Sequence, residues 1–331
     1  MIIKFMGNVL IVGAGLIGRK RAEAIREIGE DKIVGFCDLD ESRAKILADE
    51  FGGEVYADYK RMFQETKADI AVVATNHKML PPMCLAALAA GLHVLAEKPL
   101  GRNAKEVEPV VRAAEAKKLV YKCGFNHRYF PGLLQAKKMV DEGKIGELMY
   151  VRARYGHGGR PGYDKEWRAD SGIAGGGELL DQGIHLIDLA RWFLGDFVSA
   201  IGAAQTAFWD MPLDDNGFAI LRTEKKQTAF LHASWTQWKN LFSFEIFGKD
   251  GYLAIDGLVK SYGPQKLTWA RRRPESGPPI IKTFYFPDED KTWILEWQDF
   301  TNAINKGTQP LGTGEDGWEA LKLIDAIYAQ Q

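Results

Sequence analysis

A glycine-rich segment, Gly13-Ala14-Gly15-Leu16-Ile17-Gly18, has the G-x-G-x-x-G spacing of dinucleotide sites. It follows an apolar run and opens a helical pattern, which is the context that the motif requires. Asp38 ends the next apolar run, 25 residues after Gly13, where a carboxylate can accept hydrogen bonds from the adenosine ribose. The segment predicts dinucleotide binding. The alternative is a glycine-rich turn that binds nothing.

A lysine follows the fifth apolar run, in Glu97-Lys98-Pro99. The carboxyl ends of parallel strands face the ligand crevice of an open sheet, so Lys98 is expected near the nicotinamide end of a cofactor. A loop lysine is also a common solvated surface charge. This segment alone therefore leaves both interpretations open.

A histidine lies between carboxylates in segment 175–188, which begins with three glycines. In a helix, Asp181, His185 and Asp188 stand at i, i+4 and i+7 on one face. An imidazole beside a carboxylate is an oriented proton acceptor, and the glycines leave room for a ligand. A structural histidine in a helix with a capped N-terminus also fits this segment.

The elements that position these residues alternate between strands and helices over residues 1–125. The strands read as continuous apolar runs, as expected when helices cover both faces of a parallel sheet. We therefore predict an α/β fold that begins with a doubly wound Rossmann domain over residues 1–125. The predicted strands are Asn8–Val12, Lys32–Asp38, Glu54–Ala57, Asp69–Thr75, His93–Ala96 and Leu119–Gly124.

Residues 126–331 have a different rhythm, which predicts an α+β domain with an open, largely antiparallel sheet. A single helix is expected over about Glu178–Phe193, and several strands between residues 198 and 286. Two helices, Ile294–Asn305 and Gly317–Ala329, are expected to close this domain. Alternating aromatic residues such as Phe242 and Phe244 could line an uncovered sheet face. That face predicts a homodimer or homotetramer.

Composition excludes several classes of protein. The 331 residues carry 43 Lys+Arg against 44 Asp+Glu, so no overall field attracts nucleic acid or a membrane surface. No apolar run approaches the roughly 20 residues of a membrane span. The opening Met1–Gly15 lacks a clear signal-peptide cleavage site. The three cysteines are odd in number and far apart, which favours reduced thiols in a cytoplasmic protein without a metal site.

Taken together, the motifs resemble the glucose–fructose oxidoreductase / inositol dehydrogenase (Gfo/Idh/MocA) family over essentially the whole chain. E-K-P, followed about 80 residues later by G-G-G-x-L-x-D-x-G-x-H-x-x-D, carries most of the resemblance. Asn126-His127-Arg128-Tyr129 and Trp167-Arg168 continue the pattern. One departure is Thr75-Asn76-His77-Lys78-Met79-Leu80, where the family commonly reads T-P-N-x-x-H.

The resemblance implies hydride transfer between NAD(P) and a sugar, a polyol or a related hydroxy compound. It places Lys98, Asp181 and His185 at the family's catalytic positions. It also implies that the Lys98–Pro99 bond is cis and that the second-domain sheet forms the oligomer interface. The predicted cofactor-binding residues are Gly13, Gly15, Leu16, Ile17, Gly18, Asp38, Thr75, Asn76, Glu97 and Lys98, and the predicted substrate-binding residues are Arg128, Tyr155, Trp167 and Arg168.

We therefore expect an NAD-dependent oxidoreductase acting on a secondary alcohol or ketone of a sugar, inositol, uronic acid or sugar nucleotide. An NAD-dependent glycoside hydrolase and a non-catalytic sugar-sensing regulator are the alternatives. NADP is disfavoured because Asp38 would meet its 2′-phosphate, and a helix beginning near Glu41 should turn Arg43 away. Arg19-Lys20-Arg21 either contacts phosphates or forms a solvated helix face.

Overall fold

The computed structural model describes residues 6–331. Residues 1–5, part of the predicted first domain and of the Met1–Gly15 stretch, lie outside the described residues. The chain forms two compact units. The first comprises the chain up to Asn126 together with Thr292–Glu319, and the second comprises His127–Lys291 together with Ala320–Gln331. The first unit therefore takes in a late segment that the prediction assigned to the second domain.

Strands and helices alternate along the first part of the chain. They are β1 (Asn8–Val12), α1 (Leu16–Ile28), β2 (Lys32–Cys37), α2 (Glu41–Phe51), β3 (Glu54–Tyr56), α3 (Tyr59–Glu65), β4 (Ile70–Val73), α4 (Leu80–Ala89), β5 (His93–Ala96), α5 (Ala104–Lys117) and β6 (Tyr121–Cys123). The six strands form a parallel sheet in the order β3-β2-β1-β4-β5-β6. This is the predicted doubly wound sheet. The central strands β1 and β4 are almost entirely buried, which is why they read as apolar runs.

Side chains at the helix ends explain where several of these helices begin. The Asp40 carboxylate accepts the Ser42 N–H at 3.1 Å at the start of α2, and Asp58 accepts the Lys60 N–H at 2.7 Å at the start of α3. Asp58 thus caps the start of α3. At the other end of α1, Gly29 adopts φ 69°, a left-handed conformation that favours glycine.

The rest of the chain builds a larger sheet. Its elements are α6 (Pro131–Asp141), β7 (Leu148–Gly156), α7 (Ser171–Ala174), α8 (Glu178–Asp181), α9 (Gly183–Leu194), β8 (Phe197–Gln205), β9 (Asn216–Thr223), β10 (Thr228–Ser234), β11 (Leu241–Gly248), β12 (Gly251–Asp256), β13 (Lys266–Arg271), β14 (Ile280–Tyr285), α10 (Thr292–Lys306) and α11 (Gly314–Tyr328). The strand order is β14-β13-β12-β11-β7-β10-β9-β8. Only β7 and β10 are parallel, so the predicted, largely antiparallel sheet is confirmed for the described residues.

The two faces of this sheet differ from the prediction in one respect. Phe242 and Phe244 are buried, and the Phe244 ring lies 5.6 Å from Phe193 on α9. They therefore line the covered face, and the expectation that they line the open face is wrong. The open face instead carries Ile201, Ile220 and Phe230, which stand side by side across β8, β9 and β10 and are 56%, 40% and 44% exposed.

A buried cluster of charges joins α1, β6 and α10 of the first unit to the segment after β5. Arg21 on α1 donates from Nε to Glu97 Oε1 at 2.7 Å and from Nη1 to Glu296 Oε2 at 2.6 Å. Lys122 Nζ lies 3.3 Å from the other oxygen of Glu296. Two positive and two negative side chains thus neutralise one another below the surface. Burial raises the pKa of Glu97, and Glu296 adds to this, while Arg21 and Lys98 act in the opposite direction.

This cluster corrects the prediction for Arg19-Lys20-Arg21. Arg21 neither lies on a solvated face nor is free for a phosphate, because it is 1% exposed and engaged by both carboxylates. Arg19 does lie at the surface, where it pairs with Glu50 at 2.6 Å. The cluster also explains why α10 belongs to the first unit, since α10 supplies Glu296.

The described residues also bear on the state of the cysteines, on membrane-spanning helices and on metal sites. Cys37, Cys84 and Cys123 are buried free thiols, as predicted. Within residues 6–331, no helix combines the length and the apolar character that crossing a membrane requires. No group of three or more His, Cys, Asp and Glu side chains in this part of the chain is arranged to hold a metal ion.

The buried cluster makes stability depend strongly on Glu296. In the variant Glu296→Gln, Arg21 and Lys122 keep their charges but lose one of their two carboxylates. Breaking a buried pair in this way typically costs about 3 to 5 kcal/mol. We expect a large drop in the denaturation midpoint of the first unit, measured by urea unfolding.

The control is Glu65→Gln, which breaks the exposed α3 pair between Arg61 and Glu65 at 2.7 Å. An exposed pair contributes at most about 1 kcal/mol, so this variant should unfold nearly as the wild type does. Equal midpoints for Glu296→Gln and Glu65→Gln would contradict the stabilising role of the cluster.

Candidate active site

The glycine-rich loop between β1 and α1 combines two closely packed glycines with one open glycine. Gly13 has φ +97°, and a Cβ there would lie 2.2 Å from the Ala74 carbonyl oxygen. A Cβ at Gly18 would lie 1.9 Å from the Gly13 carbonyl oxygen. At Gly15, by contrast, a Cβ would meet nothing within 4 Å. The first and third glycines are thus required for packing, and the second leaves an open side that a ligand can approach.

A cavity of about 350 Å³ lies against this open side. Two of its lining residues, Arg19 and Arg43, are cations, and Leu16 at the start of α1 is 71% exposed beside it. The prediction that α2 begins near Glu41 is confirmed, but the expectation that this turns Arg43 away is wrong. Arg43 lines the cavity while its Nε lies 3.2 Å from Asp40. The remaining lining residues are Ala14, Gly15, Ile46 and Leu47.

Asp38 connects the end of β2 to the glycine-rich loop. Its Oδ2 accepts the Ala14 N–H at 2.8 Å, and its Oδ1 accepts the Asp40 N–H at 3.0 Å. Each carboxylate oxygen has two lone pairs, so both can accept a further hydrogen bond. Asp38 therefore fixes the loop and still has acceptor capacity on the same carboxylate. The open side at Gly15, the cavity and this acceptor together fit a dinucleotide.

Three further predicted cofactor residues lie either after β4 or in the first turn of α1. Thr75 and Asn76 follow β4, and Asn76 Oδ1 accepts the Met79 N–H at 3.2 Å in the turn before α4. Leu80, which stands where the family often has histidine, is buried as the first residue of α4. Ile17 follows Leu16 in the first turn of α1.

The E-K-P segment follows β5, and its first two residues have different surroundings. The Glu97 carboxylate is held inside the unit by Arg21, and its assignment as a cofactor ligand stays a prediction. Lys98 is the next residue, and the Lys98–Pro99 peptide bond is cis, as the resemblance implies. The buried carboxylate thus anchors the backbone from which Lys98 projects.

The segment predicted as one helix over Glu178–Phe193 is divided in two. α8 ends at Asp181, α9 begins at Gly183, and Gln182 lies between them. A Cβ at Gly183 would lie 3.1 Å from the Leu179 side chain and 3.4 Å from Ala233, so this position packs closely against β10. Asp181 and His185 consequently belong to different helices.

His185 on α9 is surrounded by aromatic side chains. Its ring stacks on His127 with centroids 3.7 Å apart, and Tyr155 approaches it at 6.2 Å. The imidazole is 3% exposed. Burial raises the pKa of Tyr155 well above its usual value, and Tyr262, whose ring centroid lies 5.5 Å from that of Tyr155, acts in the same direction. Tyr155, a predicted substrate residue, is thus next to His185 at the end of β7.

Asp181 is paired with a predicted substrate residue. Arg168 Nε lies 3.3 Å from Asp181 Oδ2, and the Arg168 guanidinium also lies 4.5 Å from the Trp167 ring centroid. Asp181 is 4% exposed, whereas Arg168 is partly accessible. The structure therefore brings Asp181, Arg168 and Trp167 together, with a cation between the carboxylate and the indole.

Arg128, a predicted substrate residue, is paired with a carboxylate of α9. It is buried and makes two hydrogen bonds to Asp188, from Nε at 2.9 Å and from Nη2 at 2.6 Å. This bidentate pair engages both partners, and the assignment of Arg128 as a substrate ligand stays a prediction. Asp188, which the spacing placed on the same helix face as His185, serves to dock the turn Asn126–Tyr129 onto α9.

Sequence reasoning missed the group that fixes the start of α8. The buried carboxylate of Asp214 accepts the Gly177 N–H at 2.9 Å, the Leu179 N–H at 2.8 Å and the Tyr328 hydroxyl at 2.8 Å. Burial raises the pKa of Asp214, although these hydrogen bonds lower it. The only signal in the sequence is the adjacent pair Asp214-Asp215 before a strand, which does not indicate a partner 35 residues away.

Two family models match the chain. One, described as an oxidoreductase family with an NAD-binding Rossmann fold, matches residues 7–125. The other, described as the C-terminal domain of the same Gfo/Idh/MocA family, matches residues 133–254. Together they cover well over half of the sequence.

Characterised relatives are similar over most of their length. Levoglucosan dehydrogenase of Pseudarthrobacter phenanthrenivorans is 28% identical, over 82% of this chain and 80% of the relative. Inositol 2-dehydrogenase of Rhizobium meliloti is 26% identical, over 96% and 94%. An NADP-dependent D-xylose 1-dehydrogenase of Haloferax volcanii is 26% identical, over 96% and 95%.

Solved structures share the fold at lower identity. A levoglucosan dehydrogenase complex with NADH superposes with a TM-score of 0.89 at 23% identity, covering 97% of this chain and 96% of the other. An aldose–aldose oxidoreductase from Caulobacter crescentus, complexed with glycerol, gives 0.86 at 23% identity, with 98% and 97% covered. The chain is therefore an oxidoreductase of the sugar and inositol dehydrogenase type, has an NAD-binding Rossmann domain, and belongs to the Gfo/Idh/MocA family.

Proposed function

We propose that this protein oxidises a secondary alcohol of a cyclic, polyhydroxylated substrate with NAD, or reduces the corresponding ketone. The observation that carries the proposal is His185, a buried imidazole at the strand end where the predicted substrate residue Tyr155 lies. The named relatives act on levoglucosan, inositols and D-xylose, which supports a sugar-like substrate.

The first unit would hold the cofactor through backbone and carboxylate groups. The N–H groups at Gly15 and at the start of α1 would bind the pyrophosphate, because the helix N-terminus carries a partial positive charge. Asp38 would accept hydrogen bonds from the adenosine ribose. When bound, NAD accepts or returns the hydride, which is chemistry that belongs to the cofactor.

In the oxidative direction, His185 would accept the proton of the substrate hydroxyl as general base. Lys98 would place a positive charge near the same oxygen and stabilise the negative charge that grows there. Asp181 would orient the base and bind a neighbouring hydroxyl, with Arg168 fixing its carboxylate.

The side chains near Asp181 suit a sugar ring. Trp167 offers an aromatic face, and Arg168 offers hydrogen-bond donors and a charge that would also attract a carboxylate or phosphate on the substrate. The substrate is best identified by incubating the protein and NAD with inositols, aldoses, uronic acids and sugar nucleotides. Stoichiometric NADH formation would support the proposal. Release of free sugar from a glycoside without accumulated NADH would instead indicate hydrolysis.

The proposed roles predict a large effect of Lys98→Ala and of His185→Ala on turnover. Each should lower kcat by roughly 100-fold or more, typical of lost electrostatic or acid–base groups, with little change in NADH affinity. Steady-state kinetics and NADH fluorescence titration measure the two quantities. Lys105→Ala, on the exposed side of α5, is the matched control and should behave as wild type. Turnover near the wild-type value in either site variant would remove that residue from the mechanism.

Cofactor choice depends on the carboxylate of Asp38. A 2′-phosphate would lie against this carboxylate, so we expect a clear preference for NAD, which Arg43 at the cavity only partly offsets. In Asp38→Ser the ratio of kcat/KM with NAD to that with NADP should fall. The variant no longer offers the carboxylate that accepts hydrogen bonds from NAD, and it no longer repels the 2′-phosphate of NADP. The measurement is kcat/KM with both cofactors, with Asp49→Ser at the exposed end of α2 as control. A wild-type protein that uses NADP equally well would contradict this role of Asp38.

The open sheet face predicts assembly of at least two copies. Ile201, Ile220 and Phe230 form an apolar row on this face, and another copy would remove it from water. We expect a homodimer or homotetramer by light scattering, and a shift toward the 37.0 kDa monomer in Phe230→Glu. Leu85→Glu, a comparable exposed position on α4, should leave the mass unchanged. A wild-type mass of one chain at micromolar concentration would contradict the expectation.

A further inference from the structure

Two buried imidazoles lie face to face in the second unit. The rings of His127 and His185 have centroids 3.7 Å apart and planes inclined by 29°, which is a stacked arrangement. His127 is 5% exposed and His185 is 3% exposed. Of these two histidines, only His185 falls at a family catalytic position.

The position of His127 is fixed on several sides. Its ring meets the edge of Phe130 at 5.5 Å and lies 5.3 Å from Tyr155 and 6.0 Å from Phe242. The next residue, Arg128, is held on α9 by its bidentate pair with Asp188, one turn beyond His185. The turn Asn126–Tyr129 thus docks on α9 at two adjacent residues, and the stacking does not depend on a mobile side chain.

We propose that His127 is a positioning residue for His185. The His127 ring fixes the plane of the His185 ring, and the stacked pair holds only one proton over the working pH range. The proposal rests on the proposed function in one respect, namely that His185 is the base. The stacking itself is independent of that role.

The physical reason is that a neutral and a charged His127 have opposite effects on a positive charge at His185. When the substrate hydroxyl gives its proton to a ring nitrogen of His185, an imidazolium forms against the face of His127. A neutral aromatic face attracts a cation. A protonated His127 at this distance would repel it, so a charge on one ring disfavours a charge on the other.

Other ionisable groups around the pair are present in all variants considered below, so they cannot produce a difference between them. Two carboxylates of α8 raise the pKa of Tyr155, and the Tyr155 ring contacts both imidazoles. The surrounding groups are Glu178, Asp181, Tyr155, Tyr262, Arg168 paired with Asp181, and Arg128 paired with Asp188.

The test compares His127→Phe, which keeps a stacked ring without a charge, with the wild type. The midpoint and shape of the His185 imidazole titration are followed by NMR in the absence of substrate. We expect His185 in His127→Phe to titrate as a single site, about half a pH unit or more above the wild-type midpoint, because the competing proton is gone. His232→Phe is the matched control, since His232 also stacks on an aromatic ring, Phe218, at 4.2 Å. It should leave the His185 titration unchanged.

A second variant, His127→Gln, removes the ring and keeps a polar side chain. We expect kcat to fall about 10-fold with little change in KM, whereas His127→Phe should recover most of kcat above pH 8. If His127→Phe does not fold, the His185 titration in His127→Gln replaces it. A His185 titration unchanged by the loss of the His127 charge would overturn the proposal. Because the titration needs no turnover, this result is distinct from a failure to reduce NAD, which would overturn the proposed function instead.

Discussion

The buried cluster of Arg21, Glu97, Lys122 and Glu296 is the constraint on which the first unit depends. Charges removed from water must be neutralised within the protein, because an unpaired buried charge costs several kcal/mol. Arg21 lies one turn into the helix that begins at the glycine-rich loop, and Glu97 precedes Lys98. The same ion pairs therefore hold the helix after the cofactor loop and the segment that carries Lys98 against α10 in the interior of the unit.

In the second unit, side-chain hydrogen bonds to α8 and α9 have a comparable role. Asp214 holds the N-terminus of α8 through three donors, one of them from Tyr328 near the end of α11. The pair of Arg128 and Asp188 holds the turn Asn126–Tyr129 against α9. Both helices that carry predicted catalytic side chains are thus fixed by buried carboxylates that accept hydrogen bonds from the protein. Such support is what a preorganised site requires, since small displacements of a catalytic group reduce its effectiveness.

Local patterns predicted most of the fold, and partnerships between distant residues were what they could not predict. The bounds of α1 and α2 follow from periodicity and from glycine and aspartate at the helix ends, all within a few residues of one another. Arg21 looked like a surface residue because Glu296, its partner, is 275 positions away. The pair of Arg128 and Asp188 was likewise not predicted, because the two residues are 60 positions apart. In β11, alternation revealed two faces but not which of them α9 covers, and so Phe242 and Phe244 were placed on the wrong one.

The division of the first unit into two separate stretches of chain has a consequence for biosynthesis. When the ribosome has produced the strands of the first sheet, Arg21 and Lys122 have been made, but Glu296 has not. At typical elongation rates of about 5–20 residues per second, the missing carboxylate follows roughly 9 to 35 seconds later. Through that interval the cluster has both of its cations but only one of its two carboxylates, Glu97, which disfavours full burial of its charges. The unit that begins first therefore completes its interior only after nearly all of the second unit has left the ribosome.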